Sequence, residues 1–341
     1  MLLTGRARVT SKELAAAAGV SPSTVSRVLN GVAHDMVSEE TRARVIRLAA
    51  EMGYVPNAAA RQLRTQRAQA LGLLLPSIAH ELAGNYPLLQ QLAGIAEGFQ
   101  SMGYNFVLCP ALSGNEPMRL FRNAQIDGVL VMHPKEDEPC LVELHEAGVP
   151  IVVLNELPAD CDLPWVDIDN VGGARQITEH LLQRGHRRIG HIYGRPGYVV
   201  TGLRMRGYCQ ALAGAGIGID EDLLAVVPEP AQGPQGTEAT RRLLALPDRP
   251  TAVFCHGDLL AHGALRAVEE LGLRVPEDVA VVGFDDEPSS AYQRPALTTV
   301  RAPFREKGRV AARLLVELVE GRVLAERRVK LAAELVVRAS S

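Results

Sequence analysis

The chain contains 341 residues, of which 47% are hydrophobic and 22% are charged, and its formal net charge is −3 at pH 7. This balance is typical of a soluble globular protein with two or three domains. No apolar run reaches the ~18 residues of a membrane-spanning helix. The first residues lack a secretion signal, and five scattered cysteines form no CxxC pair. We therefore expect a cytoplasmic protein without membrane contact, disulfide framework or zinc site.

The charge is distributed unevenly along the chain. Residues 1–67 carry ten basic and five acidic side chains, whereas the remaining residues carry 26 basic and 34 acidic ones. A small basic segment on an acidic body is typical of a protein whose basic part binds a polyanion such as nucleic acid. A charged surface that contacts only solvent would give the same counts, so charge alone leaves both interpretations open.

The segment "VTSKELAAAAGVSPSTVSRVLN" predicts two helices joined by a tight turn. Thr10 and Glu13 have the spacing of a capping box at the start of the first helix. Gly19 suits the left-handed position just past its end. Ser21 can cap the second helix, and Pro22 suits its first position, where the missing N–H costs nothing. Two short helices with such a turn are typical of a helix-turn-helix.

The second helix has one apolar face and one polar face. Val25, Val28 and Leu29 follow helical spacing and are expected to point inward. Small polar side chains on the opposite face would let the backbone approach the floor of a DNA major groove. There Arg27 can donate to guanine, and hydroxyl groups reach phosphates. The predicted DNA-contacting residues of this segment are Ser21, Pro22, Ser23, Thr24, Ser26, Arg27 and Asn30.

A third helix and a linker follow. Ser38 can cap "EETRARVIRLAAEMGY", whose apolar side chains would close a small three-helix core over residues 1–56. Residues 57–69 contain too few apolar side chains to form a stable helix in water. They are either an ordinary linker or a hinge helix that forms only on DNA, with a leucine inserted into the minor groove between arginines that bind phosphates. The hinge interpretation predicts DNA contacts from Asn57, Arg61, Leu63 and Arg64.

From residue 70 to residue 341, apolar strand-like runs alternate with helical stretches. The strand-like runs include "ALGLLLP", "NFVLCP", "GVLVMH", "PIVVLNE", "RIGHIYG", "TAVFCHGD" and "VAVVGFDD". This alternation predicts parallel sheets covered by helices on both faces, and the length predicts two lobes. We expect a first lobe at about 70–169 plus 298–325, and a second lobe at about 170–297 plus 326–341.

Polar residues follow several of these predicted strands. They are Asn155, Gly257 with Asp258, and Asp285 with Asp286. Ligands of open parallel sheets bind beyond the carboxyl ends of the strands, so these residues could line one cleft between the lobes. Asp258 and Asp285 could equally cap the segments that follow them.

Three of these segments resemble a known family. "VTSKELAAAAGVSPSTVSRVLNG", "VSEETRARVIRLAAEMGYVPNAAARQLR" and "VAVVGFDD" are similar, in order and spacing, to the LacI/GalR family of bacterial transcription regulators. The resemblance implies an N-terminal all-α helix-turn-helix domain and an α/β periplasmic-binding-protein-like body of two doubly wound parallel-sheet lobes. It places the base-reading positions of the family at Pro22, Ser23 and Arg27, and its minor-groove lever at Leu63.

The same resemblance implies an effector site. An arginine three residues before a Gly-aromatic pair corresponds to Arg204, and the first aspartate of the "GFDD" motif corresponds to Asp285. The polar residue after the fourth strand and the aromatic residue after "LTTV" correspond to Asn155 and Phe304. Gly257 stands where the family usually has an asparagine, and aromatic residues such as Tyr86 are candidates for stacking on a sugar ring.

The function implied by the resemblance is a repressor that binds near-palindromic double-stranded operator DNA as a homodimer. A small-molecule effector, a sugar or sugar derivative, would control it, with a purine or another metabolite as the alternative. A transport solute-binding protein would share the body but lack the helix-turn-helix. A dehydrogenase would need a glycine fingerprint that "LGLLLPSIAHEL" does not provide. Since no Walker, HExxH or GxSxG motif occurs, we expect neither an enzyme nor a cofactor.

Overall fold

The computed structural model describes residues 9–29, 37–55, 67–75, 85–110, 116–132, 139–158, 161–228 and 232–341. The chain divides into two compact units between Arg67 and Ala68. This division falls inside the segment predicted to be a linker, and each unit is described by itself below.

In its described residues, the first unit contains three helices with the predicted caps. They are α1 (Ser11–Ala18), α2 (Pro22–Leu29) and α3 (Glu39–Met52). The capping box between Thr10 and Glu13 is present at α1. Gly19 ends α1 in the left-handed region at φ 66°, where a residue without Cβ avoids a steric penalty. These local predictions are confirmed.

The apolar faces of the three helices form one small core. Its buried members are Leu14, Ala15, Ala18, Val25, Val28, Val45 and Ala49. Three further predicted inward residues, Leu29, Leu48 and Met52, pack against this core while remaining partly exposed. The apolar side of α2 is therefore buried in the core, and Pro22, Ser23 and Arg27 lie on its exposed side.

The first lobe of the second unit is built on a six-stranded parallel sheet with the order β11-β5-β4-β3-β1-β2. Its strands are β1 (Ala70–Leu75), β2 (Asn105–Pro110), β3 (Val129–Met132), β4 (Ile151–Leu154), β5 (Trp165–Ile168) and β11 (Arg328–Leu331). Its helices are α4 (Tyr86–Ser101), α5 (Glu116–Arg122), α6 (Pro139–Glu146) and α11 (Phe304–Val319). Separate apolar clusters cover the two faces of the sheet, as expected for parallel strands buried on both sides.

The second lobe has a four-stranded parallel sheet with the order β7-β6-β8-β9. Its strands are β6 (Ile189–Tyr193), β7 (Leu224–Val226), β8 (Ala252–Cys255) and β9 (Ala280–Val282). Its helices are α7 (Asn170–Gln183), α8 (Val199–Gly214), α9 (Gly233–Leu244) and α10 (Asp258–Glu270). Strand order reverses between β6 and β8, and ligands of open parallel sheets bind beyond the carboxyl ends of the strands at such a point.

The lobe boundaries differ from the predicted ones. Strand β10 (Thr299–Arg301) pairs antiparallel with β12 (Glu334–Val336), and Val300 joins the second-lobe core. Strand β11 pairs with β5 of the first lobe, whereas we expected 326–341 in the second. After the second lobe, the chain therefore returns to the first lobe at α11 and leaves it again after β11. Strand pairing joins residues far apart in sequence, so a local pattern cannot assign a short strand to its sheet.

Helices α4 and α11 pack closely through glycines. A Cβ atom added at Gly94 would overlap the backbone carbonyl of Arg305, and one at Gly98 would lie 2.6 Å from the Cβ of Ala312. From the α11 side, Gly308 faces the backbone of Gln91. The contact brings Tyr86 and Phe304, the first residues of these two helices, to the same end of the lobe.

Candidate functional site

Helix α2 presents the predicted polar face. Its N-terminus is capped by Ser21, whose Oγ accepts a hydrogen bond from the Thr24 backbone N–H at 3.1 Å. Four of the predicted contact residues are exposed, namely Ser21, Pro22, Ser23 and Arg27. Two more, Thr24 and Ser26, are half-buried. Among the described residues none pairs with the Arg27 guanidinium. This face therefore combines small side chains, hydroxyl groups and one available fork of donors.

Five predicted DNA contacts, namely Asn30, Asn57, Arg61, Leu63 and Arg64, lie outside the described residues. The hinge interpretation therefore remains a prediction from sequence.

The second unit has a polar centre at Arg204 of α8. This side chain is 5% exposed, and its guanidinium donates to Asn170 Oδ1 at 3.0 Å, to Asp285 Oδ1 at 3.2 Å and to the His256 carbonyl. It also lies 3.7 Å from the centroid of the Phe284 ring. The structure thus places Arg204 beside Asp285 and holds it in one orientation.

Asp285 lies in a conformation that side chains rarely adopt. Its φ is 118°, in the region that favours glycine, and it follows β9 with its backbone N–H bonded to the Val300 carbonyl at 2.8 Å. Such strain persists only where the surroundings enforce it, and it concentrates at ligand sites. Gly257 lies next to it, since a Cβ atom there would be 3.1 Å from Asp285 Oδ2.

A cavity of about 510 Å³ opens at this point of the second unit. Three of the predicted effector residues, Tyr86, Asp285 and Phe304, line it together. The rest of its lining is largely charged, with Asp286, Arg301, Arg305, Glu306, Arg309 and Glu334. Phe304 is 6% exposed and packs with the second-lobe core, whereas Tyr86 is half-buried. An aromatic wall beside a carboxylate suits a polyhydroxylated ring, which needs an apolar face and strong hydrogen-bond acceptors.

Asn155 belongs to a second polar group at the exit of β4. It is 3% exposed, and its Oδ1 has no hydrogen-bond partner among the described residues. The next backbone N–H, of Glu156, donates to Asp167 Oδ2 at 3.0 Å, and Asn170 Nδ2 donates to the same oxygen at 3.2 Å. Because Asn170 also binds Arg204, the two polar groups are connected.

Sequence reasoning missed three residues of this network, namely Asp167, Asn170 and Lys307. The Lys307 ammonium donates to Asp167 Oδ1 at 2.8 Å, and the two side chains are 5% and 0% exposed. The sequence contained a signal, because Lys307 occupies the apolar stripe of α11, three residues after Phe304 and four before Ala311. A charged residue on a buried helix face requires a partner.

Three carboxyl groups crowd the loop after β9 and the start of α10. Burial, with repulsion from Asp285, raises the pKa of Asp258 to about 7. Burial raises the pKa of Asp285 to about 7 although Arg204 opposes the rise. Burial and repulsion from Asp258 also raise the pKa of Glu287 to about 7. Burial lowers the pKa of His256 well below its ordinary value, so this imidazole is neutral. The centre of the second lobe therefore disfavours additional negative charge.

Asp258 holds the loop rather than capping a helix. Its carboxylate accepts hydrogen bonds from the Thr299 hydroxyl at 2.6 Å, the Ser290 hydroxyl at 2.7 Å and the Glu287 backbone N–H at 2.8 Å. It is fully buried, and these contacts join α10 to the segment beside Asp285. Asp258 does not cap α10, because the N-cap of that helix is Gly257.

The raised pKa of Asp258 predicts a pH-dependent stability. Between about pH 4 and pH 7 the native carboxyl holds a proton that the unfolded one releases. The free energy of unfolding therefore falls as the pH rises across this interval, and the loss is complete above about pH 7. From pH 6 to pH 8, wild type should lose about 1 kcal/mol of unfolding free energy relative to Asp258→Asn. Urea denaturation of both proteins at the two pH values measures this, and a pH-independent difference would contradict the assignment.

The described part of the chain contains no group of three or more histidine, cysteine, aspartate and glutamate side chains arranged to hold a metal ion. None of its helices combines the length and apolar character needed to cross a membrane.

Two family profiles match the chain. Residues 10–57 match the profile described as bacterial regulatory proteins, lacI family, and residues 178–341 match the periplasmic binding protein-like domain. The chain is 40% identical over 342 residues to the HTH-type transcriptional regulator CelR of Thermobifida fusca, covering 98% of this chain and 99% of that protein. It is 33% identical over 337 residues to the HTH-type transcriptional repressor CytR of Escherichia coli strain K12, covering 97% and 96%.

Solved structures of transcriptional regulators are also similar to this chain. A transcriptional regulator CelR–cellobiose complex matches with a TM-score of 0.74 at 38% identity, covering 98% of this chain and 100% of that chain. The lac repressor dimer bound to operator and the anti-inducer ONPF matches with a TM-score of 0.84 at 29% identity, covering 98% and 99%. The similarity therefore spans both units.

Proposed function

Since the chain belongs to the LacI family of bacterial regulatory proteins and is a DNA-binding transcriptional regulator, we propose that it is a repressor whose operator affinity is set by a sugar bound between its two lobes. The observation that carries the effector part is the buried pair of Arg204 and Asp285, 3.2 Å apart, beside a cavity lined by Tyr86 and Phe304. A carboxylate and a fixed guanidinium match the acceptors and donors of sugar hydroxyls. The relative crystallised with cellobiose supports a sugar over a purine.

We also propose that the protein binds DNA as a homodimer. One recognition helix gives little affinity, and a two-fold symmetric pair of helices reads a near-palindromic operator with matching half-site spacing. The similarity to a lac repressor structure that is a dimer on its operator supports this arrangement. The protein acts in the cytoplasm, where operator DNA is found.

The segment 57–69 transmits the signal in this proposal. It forms a helix only on DNA, with Leu63 in the minor groove, and Arg61 and Arg64 on phosphates. A bound effector changes the angle between the lobes and so the spacing of the two hinge segments in a dimer. Because the segment is a marginal helix, a coupling of about 1–3 kcal/mol is enough to alter operator affinity.

The full-length protein provides the test. We expect selection from random duplexes to yield a near-palindromic sequence, and we expect cellobiose or another neutral sugar to change the affinity for that sequence. Random duplexes of equal length without the selected sequence serve as the control. Binding without sequence preference would refute the repressor proposal, and an affinity that no sugar alters would refute the sugar effector.

Removing the Arg27 side chain tests the recognition face. Arg27→Ala should relax the base preference at one position of each half-site by about 1–3 kcal/mol, the value of one bidentate contact to guanine. Arg47→Ala is a matched control, because Arg47 is an exposed arginine on α3 that faces Glu51 at 3.8 Å. The selected sequence should change for the first variant and remain the same for the second. An unchanged base preference in Arg27→Ala would place recognition elsewhere.

A further inference from the structure

The ion pair between Lys307 and Asp167 has an unusual position for two charged residues. Both side chains are almost completely buried, and Lys307 lies in the face of α11 that otherwise packs against the first-lobe core. Removing two charges from water is costly, and a buried ion pair contributes little stability compared with apolar side chains of similar size. Stabilisation of the core therefore does not account for this buried ion pair.

Asp167 is saturated by protein donors. Its Oδ1 accepts from Lys307 and from the Ile168 backbone N–H at 2.8 Å, and its Oδ2 accepts from the Glu156 backbone N–H and from Asn170. With no exposed surface, it has no room to contact a ligand. Its role is to hold the ammonium group of Lys307 in place.

Lys307 is not saturated. An ammonium group has three donors, and Asp167 is its one hydrogen-bond acceptor among the described residues. Two donors therefore remain in a largely buried environment. Asn155 Oδ1, also buried and unpartnered, lies at the exit of β4, one residue from the backbone N–H that binds the same Asp167 carboxylate. The unused donors of Lys307 and the unused acceptor of Asn155 both lie near the Asp167 carboxylate. Together they complement a ligand hydroxyl group, which both accepts and donates hydrogen bonds.

We propose that Lys307, positioned by Asp167, contacts the effector and, together with Asn155, selects an uncharged polyhydroxylated ligand over an anionic one. This inference rests on the proposed effector cleft and deepens it. The connection is through Asn170, which binds both Asp167 and Arg204, and through Phe304, which lies one helical turn from Lys307 and lines the cavity.

The charge balance around the cleft favours a neutral ligand. Each of the two buried cations, Arg204 and Lys307, already has a carboxylate within hydrogen-bond distance, Asp285 and Asp167 respectively. Asp258 and Glu287 add two more buried carboxyl groups in the second lobe. The arginines that line the cavity are paired as well, Arg301 with Asp286, Arg305 with Glu97 and Arg309 with Glu306. A phosphate or carboxylate on the ligand would therefore bring another negative charge without an uncommitted cation among the described residues to receive it, whereas hydroxyl groups bring none.

The wild-type full-length protein gives the first test, by calorimetric titration with matched sugars. Glucose is compared with glucose 6-phosphate, and cellobiose with cellobiose 6′-phosphate. We expect the neutral member of a pair to bind at least tenfold more tightly than its anionic partner. Tighter binding of an anionic member would overturn the selection of a neutral ligand while leaving a carbohydrate effector in place. A protein whose melting temperature and operator affinity respond to none of the four would overturn the proposed sugar effector as well.

The variants give the second test. Lys307→Met alone leaves Asp167 buried without its partner, so the variant used is the double substitution Lys307→Met with Asp167→Asn, which removes both charges. We expect its affinity for the neutral sugar to fall at least tenfold. Lys330→Met is the control, because Lys330 is 40% exposed and pairs with Glu156 at 2.8 Å, and it should stay within twofold of wild type. A double variant that binds the neutral sugar within twofold of wild type would overturn the contact between Lys307 and the effector. If the double variant does not fold, the titration of the wild-type protein with neutral and anionic sugars tests the proposal.

Discussion

Arg204→Ala is expected to lower the free energy of unfolding of the second unit by about 3–5 kcal/mol, the cost of breaking a buried ion pair by removing one partner. Three acceptors, on Asn170, His256 and Asp285, lose their donor in this variant. The ring of Phe284 also loses the guanidinium stacked on it. Urea denaturation of the full-length protein, followed by the fluorescence of its single tryptophan, Trp165, measures the loss.

Arg206→Ala is the matched control for this prediction. Arg206 lies on the same helix two residues later, but it is 53% exposed and faces Glu156 at 3.8 Å. An exposed pair of this kind contributes about 0–1 kcal/mol, so this variant should unfold almost like wild type. Sugar titration of Arg204→Ala in the folded range should also show no effector response. Equal stability of the two variants would mean that Arg204 is not held in the buried network described above.

Gly94→Ala is expected to lower the free energy of unfolding by about 3 kcal/mol, at the upper end of overpacking costs. The added methyl group overlaps the Arg305 carbonyl oxygen, and a backbone atom cannot move aside by changing rotamer. Helices α4 and α11 must then separate. Because Tyr86 and Phe304 begin these helices and line the cavity, sugar affinity should fall as well.

Gly214→Ala provides the comparison for Gly94. Gly214 is the last residue of α8, and a Cβ atom there meets nothing within 4 Å. In a helical position without steric conflict, alanine is favoured over glycine by about 0.5–1 kcal/mol. The two variants should therefore shift the urea midpoint in opposite directions. Shifts of the same sign and size would contradict the close packing of α4 on α11.

Much of the second unit was predictable because strand and helix patterns repeat locally. Seven of its strand-like runs and the polar residues after them were predicted, and the structure places Arg204, Asp285 and Gly257 side by side. Asn155 is connected to them through the neighbouring Glu156 backbone, Asp167 and Asn170, and no motif indicated the last two. The strands β5, β10, β11 and β12 were not predicted, since each of these short runs contains a charged residue that interrupts its apolar pattern. Strand β7 was missed because it has only three residues, Leu224–Val226.

The amino-acid sequence by itself determined the elements whose hydrogen bonds close within a few residues. The capping box of Thr10 and Glu13, the left-handed Gly19 and the cap at Ser21 are of this kind, and with them the helix-turn-helix and its exposed Arg27. Only the tertiary structure decided which distant residues meet. Lys307 and Asp167 are 140 positions apart in the sequence, and β11 pairs with β5 across a similar separation. A local contact needs only the geometry of one turn of chain, whereas a buried charge pair or a strand partner depends on how all the intervening elements pack.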